Sequence, residues 1–393
     1  MMIETANIIS LRRIFVLSCF FATTICGQNL YENLQVSSGD TPVDVSRRTK
    51  GRRFTPIPLV NYTSDDGAGY GLRLCVYDYD SVTVPYCRAL KAQYFITTEG
   101  KWAHVLSLDY PNFLKGHRFD FELAYDKLEF ANYYGELSNR MVDSLHLSKS
   151  QRTFRQATPS ASLTWIYDLN GPWRLRGGVS IRHTSVKPNA DSGNILKELK
   201  PVGYKGGVLW KLDAAMRYDT RDNYINSTCG MLEELLVEYK IGGAGDYQGW
   251  LASYEHRHFI PITPNIVAGY RLAADQVFGQ IPFYDELKLG GEGSVRGMPS
   301  ARRRGQGRFL VNTELRWHGI RLSDRRNMML GVILFTDAGQ IYKRKDGPSM
   351  TPKNWHAGYG GGLRFYWHST IIRADYGISE GGSGLYILFS QVF

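Results

Sequence analysis

The sequence predicts an all-β fold, a sixteen-stranded antiparallel transmembrane β-barrel. Three observations support it. The chain has 393 residues with 41 Gly and 25 Tyr, which favours a β protein punctuated by glycine. Segments of about ten residues alternate between apolar and polar side chains, as they do in strands that show one face to lipid. Finally, the connecting segments are long at one end of the strands and mostly short at the other.

The composition also excludes two other classes of protein. The mean hydropathy is −0.29, and no apolar run approaches the roughly 20 residues that a membrane helix needs. The 18 Phe and 8 Trp residues can bury more surface than a disordered chain could. Transmembrane β-strands escape hydropathy plots because only alternate residues meet lipid.

The first segment has the pattern of an export signal. Arg12 and Arg13 precede an apolar run at 14–26, which is too short to span a bilayer. We therefore expect a signal peptide over residues 1–27. A short periplasmic segment at 28–53 and a barrel domain at 54–393 would follow it.

Alternation is clear in residues 308–318. Leu315 and Trp317 fall on the apolar side of this segment, whereas Glu314 and Arg316 fall on the polar side. The same split recurs in three further segments, at 117–128, 172–185 and 206–219. A soluble β-sandwich would show the same alternation, so the number of strands and the length of their connectors must decide between the two folds.

Sixteen strands follow from this pattern, and an even number lets both chain ends lie on the same side of a barrel. They are expected near 56–63, 68–79, 88–98, 101–111, 117–128, 154–168, 172–185, 206–219, 229–240, 247–260, 264–278, 308–318, 327–341, 356–368, 370–378 and 384–393. The connectors after odd-numbered strands include the long segments 129–153, 186–205, 279–307 and 342–355. Long loops at one end and tight turns at the other are typical of a bacterial outer-membrane barrel.

The last predicted strand carries a further signal. It places Phe389 and Phe393 on one face, and the expected lateral seam and C-terminal signal strand consist of Leu385, Ile387, Phe389 and Phe393. This ending resembles the C-terminal recognition strand of outer-membrane barrels, which the barrel assembly machinery reads by β-augmentation. The alternative is an ordinary amphipathic edge strand that happens to end on Phe.

Three motifs occur in order along the second half of the chain. They are Gly290-Gly291-Glu292-Gly293-Ser294-Val295-Arg296-Gly297-Met298, Asn312-Thr313-Glu314-Leu315 and Phe335-Thr336-Asp337-Ala338-Gly339. In this order they resemble the BamA/TamA superfamily of outer-membrane barrels, also called the bacterial surface antigen family. The resemblance covers residues 54–393, and the ordered combination is more specific than any single motif.

The resemblance implies a functional site. In that family the sixth loop folds back into the barrel, where the arginine of its Val-Arg-Gly motif meets two carboxylates. Carried over, Arg296 would pair with Glu314 and Asp337. The expected latch of loop six consists of Gly291, Gly293, Val295, Arg296, Gly297, Glu314, Phe335 and Asp337.

The chain departs from the family pattern in three respects. Met298 stands where the family often has an aromatic residue, and Ser390 stands where a glycine is common. Only about 26 residues separate the expected cleavage site from the first strand, so we expect no periplasmic POTRA domains, the modules that receive unfolded clients. A separate periplasmic partner could supply that role.

The chemistry of the latch follows from its residue types. Arginine offers a planar fork of five donors that can serve two carboxylates at once. Glycines let the loop reverse sharply and approach the barrel wall. Two interpretations stay open: Arg296 holds a loop that shapes the lumen, or it only stabilises the barrel.

Other functional classes find little support in the sequence. The net charge is +10, and Arg302, Arg303, Arg304 and Arg308 form a basic run. In an exported barrel this run would meet lipopolysaccharide phosphates or lumen carboxylates rather than nucleic acid. The chain has no Walker lysine, no nucleophile elbow, and no His or Cys at metal spacing, so we expect no cofactor, no metal and no enzyme.

Three hypotheses for the function remain. The first is a factor that assists insertion or translocation of proteins or lipids at the outer membrane, through a seam between the first and last strands. The second is a passive or substrate-specific pore. The third is a structural surface barrel whose outer loops do the work. The expected partners are outer-membrane lipid and lipopolysaccharide, and the barrel assembly machinery during biogenesis.

Overall fold

A computed structural model gives the fold of most of the chain. It describes residues 50–80, 83, 86–135, 145–169, 171–243, 247–323, 328–349, 351–367 and 370–393. The expected signal peptide and most of the expected periplasmic segment lie outside the described residues.

Within the described part of the chain, sixteen strands form one closed antiparallel barrel, as predicted. The barrel strands are β1 Gly51–Thr63, β2 Gly67–Tyr79, β3 Arg88–Thr97, β4 Trp102–Leu114, β5 His117–Asn132, β6 Thr153–Asp168, β7 Trp173–Pro188, β8 Gly206–Asp219, β9 Gly230–Gly242, β10 Gln248–Thr263, β11 Ile266–Gln280, β14 Gly307–Ser323, β15 Met328–Tyr342, β16 Trp355–Trp367, β17 Thr370–Ser379 and β18 Gly382–Phe389. Two short strands, β12 Leu287–Leu289 and β13 Arg303–Gly305, pair with each other in the connector between β11 and β14. The alternation in the sequence therefore identified every barrel strand.

The two faces of the barrel wall differ as the pattern predicts. On β14, Leu315 and Trp317 are exposed on the outside, whereas Glu314 and Arg316 are buried and face the lumen. An apolar exterior over a polar interior is the arrangement that suits a barrel in lipid. The walls therefore bring charged side chains from distant parts of the chain into one enclosed space.

The described parts of the long connectors 133–152, 189–205, 281–306 and 343–354 lie at one end of the barrel, which we call the loop end. The opposite end, which we call the turn end, holds mostly short connectors. One short helix, α1 Ile195–Leu199, begins at Asn194, whose side-chain oxygen accepts hydrogen bonds from the amides of Leu196 and Lys197. No helix in the described ranges is both long and apolar enough to cross a membrane.

An apolar cluster ties three of the long loops together at the loop end. Its buried members are Ala131, Tyr133, Phe154, Ile195, Leu196, Phe283 and Tyr284. Phe283 packs edge-on against both Tyr133 and Phe154, with ring centroids 5.1 and 5.2 Å apart. The start of loop six, residues 281–306, is thereby fixed above the lumen that its tip enters.

Candidate functional site

Loop six enters the lumen through a narrow hairpin. Strands β12 and β13 form its neck, and residues 290–302 form its tip. Gly290, Gly291 and Gly297 take backbone angles φ of +109°, +92° and +93°, which favour glycine strongly. The tip closes on itself because the Gly291 amide donates to the Met298 carbonyl at 2.8 Å.

Arg296 is fully buried in the lumen. Its Nε and Nη2 donate to the two oxygens of Asp337, at 2.8 and 2.9 Å, and its Nη1 donates to Glu314 at 2.8 Å. The predicted pairing of Arg296 with both carboxylates is therefore present in the structure. The guanidinium carbon also lies 3.4 Å from the ring centroid of Phe335, a cation–π contact.

The barrel wall makes room for the loop backbone through glycines. A Cβ atom on Gly377 would lie 2.9 Å from the Arg296 carbonyl carbon, and one on Gly358 would lie 2.3 Å from the Arg296 carbonyl oxygen. On the loop side, a Cβ on Gly297 would lie 2.7 Å from the backbone of Ile378. The backbone of loop six therefore contacts the backbone of β16 and β17 directly, because glycines leave space for it there.

Apolar contacts fix the same loop from the other side. Val295 and Met298 are buried against Leu289, Leu310 and Ala273. Met298 therefore fills an apolar cluster where the family often has an aromatic ring, and its flexible side chain suits an irregular gap. The remaining predicted latch glycine, Gly293, is the one whose carbonyl accepts from Arg271 at 3.2 Å.

The charged site is larger than the sequence indicated. Asp375 on β17 is a third carboxylate partner of Arg296 and accepts a hydrogen bond from its Nη1 at 3.3 Å. Asp375 also pairs with Arg364 and Arg373, and Glu314 pairs with Arg316 at 2.8 Å. We call Arg296 with Glu314, Asp337 and Asp375 the latch cluster. The only sequence signal for Asp375 was its place on a lumen-facing position, which many other residues share.

The last strand corrects one expectation. Leu385, Ile387 and Phe389 lie on the outer face of β18, with 37 to 40% of each side chain exposed. Phe393 is 6% exposed and lies inside the lumen, so the expectation that it shares a face with Phe389 is wrong. The reason is that β18 ends at Phe389, and Ser390 turns the chain inward with φ of +74°.

Residues 390–393, which we call the tail, dock at the turn end of the lumen. Arg364 donates to the Gln391 side chain at 2.7 Å, and Arg316 donates to the Phe393 carbonyl oxygen at 3.0 Å. The Phe393 ring packs with Phe259 in a small apolar cluster. Ser390 therefore performs the turn for which the family commonly uses glycine.

The junction of β1 and β18, which we call the seam, is the weakest in the barrel. Only Tyr62 with Ile387 and Thr63 with Tyr386 are in register across it. In contrast, β1 pairs with β2 along its whole length, from Gly51 to Thr63. Residues 51–61, which we call the open edge, have no register partner among the described residues of β18.

The basic run is occupied within the protein. Arg308 pairs with Asp275 at 2.7 Å. For this arginine, the expected contact with a carboxylate of the lumen is therefore present. Arg304 donates to the carbonyl oxygens of Phe283 and Asn132, and the Arg302 guanidinium lies 4.3 Å from the ring centroid of Tyr134. These contacts hold Arg302 and Arg304 within the fold of loop six and Arg308 against the barrel wall, and lipopolysaccharide binding finds no support in them.

The fold and the site together define a class. A closed sixteen-stranded antiparallel barrel with an apolar exterior, a charged lumen and an inward loop is the architecture of bacterial outer-membrane barrels. A family model, the Omp85 superfamily domain, matches residues 111–383, which is more than half of the chain. The chain belongs to the Omp85 superfamily, and the resemblance to BamA/TamA barrels is thereby confirmed.

Solved structures show the same fold. BamA from Haemophilus ducreyi lacking POTRA domains 1–3 is 15% identical, with a TM-score of 0.61, over 87% of this chain and 70% of that chain. CdiB from Acinetobacter baumannii is 13% identical, with a TM-score of 0.53, over 87% and 60%. CdiB from Escherichia coli is 12% identical, with a TM-score of 0.56, over 87% and 68%. No curated protein sequence matches the chain significantly.

Proposed function

We propose that this barrel assists the insertion or translocation of proteins or lipids at the bacterial outer membrane. The observation that carries the proposal is the seam. Two register pairs hold β1 to β18, while the open edge, on a strand that faces lipid, has no register partner on the seam side among the described residues. An unpaired strand edge is a template for another strand, so the seam can receive an extended client by β-augmentation.

The latch cluster supports the same proposal. Loop six is fixed inside the lumen by fully buried ion pairs of Arg296 with Glu314 on β14 and Asp337 on β15, so it ties these neighbouring strands together. With these strands tied together, we expect the barrel to open at the seam, where only two register pairs join the strands. Family membership favours this function over a purely structural barrel, and the partners we propose are outer-membrane lipid, the barrel assembly machinery and a separate periplasmic protein.

The test is the folding rate of a small unfolded barrel protein added to liposomes, with and without this protein. In one variant Tyr62→Cys and Ile387→Cys place two thiols opposite each other across the seam, where a disulfide can form. Cys75→Ala and Cys87→Ala remove the two thiols that are free in the structure. The matched control carries Leu363→Cys and Ala374→Cys, a register pair between β16 and β17 away from the seam.

The proposal predicts that the protein accelerates client folding and that oxidation of the seam pair abolishes this acceleration. Reduction should restore it, and oxidation of the control pair should leave it unchanged. Absence of acceleration by protein that is demonstrably folded in the liposomes would contradict the proposal. Acceleration that survives the seam disulfide would show that the seam is not where clients act.

A pore is the second candidate, and one feature favours it. Loop six covers the β14–β17 side of the lumen, whereas the β2–β5 side keeps a cavity lined by polar side chains. The lining includes Arg73, Lys91, Gln93, Ser107, Asp120 and Glu122. A polar lumen of this kind could conduct small solutes.

A further inference from the structure

The open edge contains two prolines, Pro56 and Pro58, whose main chain points toward the seam. The Thr98 amide donates to the Ala68 carbonyl, so the main-chain N–H and C=O groups of even-numbered residues of β2 point toward β3. The main-chain groups of odd-numbered residues of β2 therefore point toward β1. In the regular register, these residues pair with odd-numbered residues of β1. The even-numbered residues of β1 face the seam, as the hydrogen bond from the Ser64 amide to the Leu385 carbonyl at 3.0 Å shows directly.

The corresponding direction on the other side of the seam is also fixed. The Ser390 amide donates to the Ile371 carbonyl of β17, so odd-numbered residues at this end of β18 face β1. Tyr62 is in register with Ile387. If the same register continued, Pro58 would stand opposite Gln391 and Pro56 opposite Phe393.

A proline has no amide hydrogen, so neither position can donate to the strand opposite. Continued pairing would leave the carbonyl groups of Gln391 and Phe393 without a donor from β1. Pairing with β1 instead ends at Ile387, the chain turns inward at Ser390, and Arg316 in the lumen donates to the Phe393 carbonyl. The two missing donors on β1 and the lumen arginines Arg316 and Arg364 thus both favour a tail that turns into the lumen.

We propose that Pro56 and Pro58 keep this half of the seam open and make residues 52–60 of β1 a docking edge for one extended client strand. This inference rests on the proposed function. The docking edge continues the existing pairing of β1 with β18, and it exposes Phe54 and Val60 on the lipid side, at 61 and 65%. These features suit a membrane β-strand, whose outward side chains are apolar.

The prolines also limit how tightly such a strand is held. Pro56 and Pro58 keep their carbonyl oxygens, so the client can donate to them, but only Arg52, Phe54 and Val60 can donate in return. The client is therefore bound by an incomplete ladder of hydrogen bonds. An incomplete ladder lets the strand leave once it has found its own partner, which a complete ladder would oppose.

The test restores the donors with Pro56→Val and Pro58→Val together. We expect the tail to pair with β1, which slows amide hydrogen exchange in residues 51–61 and 385–393 by about tenfold or more, since each main-chain hydrogen bond adds protection. Acceleration of client folding should fall several-fold. The control is Pro159→Val on β6, an exposed proline whose strand has a neighbour on both sides, and neither readout should change.

A cross-link provides a second readout of the seam. Ile57→Cys and Val392→Cys would be opposite each other only in the continued register, so their disulfide should form in the valine variant and not with the prolines in place. The free cysteines are removed as before, and folding of each variant is checked by its shift on an unheated gel. If the double variant does not fold, Pro58→Val alone is measured, with a smaller effect expected in the same direction.

The outcomes separate the two proposals. Unchanged exchange and no cross-link in folded valine variants would overturn the role of the prolines. A seam that closes while client folding stays equally fast would overturn the docking edge. If the protein with its prolines does not accelerate folding at all, the proposed function fails and the docking edge falls with it, although exchange still measures whether the prolines hold the seam open.

Discussion

Arg296 combines three contacts that no other side chain could make together. Its planar guanidinium serves Asp337 with two parallel hydrogen bonds, reaches Glu314 with a third nitrogen, and stacks on Phe335. A lysine would supply one point charge in place of this fork. The charges are all buried, so they attract one another with little screening by solvent.

Removing this side chain should destabilise the loop strongly. Arg296→Ala leaves three buried carboxylates with fewer positive partners, which costs about 3 to 5 kcal/mol of unfolding free energy. We expect a lower melting temperature and protease cleavage within 291–308 in barrels that remain folded. Limited proteolysis in detergent, followed by mass spectrometry of the fragments, measures the second effect.

The control is an exposed ion pair. Arg174 is 42% exposed beside Asp168 at the turn end, and Arg174→Ala should change stability by less than about 1 kcal/mol. If both alanine variants behave alike, or if 291–308 stays resistant without Arg296, the latch interpretation is wrong.

Ser390 permits a second prediction at the scale of one residue. Its φ of +74° is unfavourable for a side chain with a Cβ, and glycine relieves that strain. Ser390→Gly should therefore raise the free energy of unfolding by about 1 kcal/mol. Ser383→Gly, within regular β18, should lower it by about the same amount. Urea titrations of both variants decide the sign, and the same sign at both positions would contradict the assignment of strain.

At the scale of elements, strands β16 and β17 recognise loop six by shape. Gly377→Ala places a Cβ 2.9 Å from loop backbone that cannot move away, so we expect the loop to undock and become accessible to protease. Gly361→Ala on β16 is the comparison, because its Cβ would meet a carbonyl oxygen at 3.2 Å and no part of loop six. Resistance to protease in the Gly377 variant would count against docking through this contact.

Loop six is also fixed near its start, at Asp285. Burial raises the pKa of this carboxyl, but the charges of Arg182 and Lys240 outweigh burial and hold the pKa below its usual range. The folded state therefore binds the proton more weakly than the unfolded state. The stabilisation is present above the usual carboxyl pKa of about 4 and is lost as the pH falls through the lower folded value.

Asp285→Asn tests this link between loop six and pH. The variant should melt earlier than the native protein by a constant amount above pH of about 5, and the difference should shrink below pH of about 4. Melting curves by circular dichroism between pH 3 and 7 give the comparison. A difference in melting temperature that does not depend on pH would contradict the proposed link between Asp285 and the pH dependence of stability.

The alternation of side chains was enough to find the barrel strands, because each spans many periods of two. It missed β12 and β13, since three residues are too few to show a period, and it missed α1 for the same reason. Arg296, Glu314 and Asp337 were found through a family motif. Asp375 was not, because the sequence does not say which lumen residues of distant strands meet when a barrel closes.

For the whole molecule, the lumen is divided between a filled side and an open side. Loop six and the tail occupy the side from β10 to β18, and the polar cavity lies against β2 to β5. Deleting residues 291–301 should therefore raise single-channel conductance in planar bilayers, because it removes the filled half. Equal conductance with and without the loop would mean that another part of the protein closes the barrel.

The latch cluster and the tail share carboxylates, and this sharing has a thermodynamic consequence. Glu314 binds Arg296 of loop six and also Arg316, which holds the tail. Asp375 likewise binds Arg296 and also Arg364, which holds Gln391. Linkage through shared groups is reciprocal. Withdrawal of the tail changes the affinity of the lumen for loop six by some factor, and release of loop six changes the affinity of the lumen for the tail by the same factor. We therefore expect withdrawal of the tail at the seam to change how tightly the lumen holds loop six.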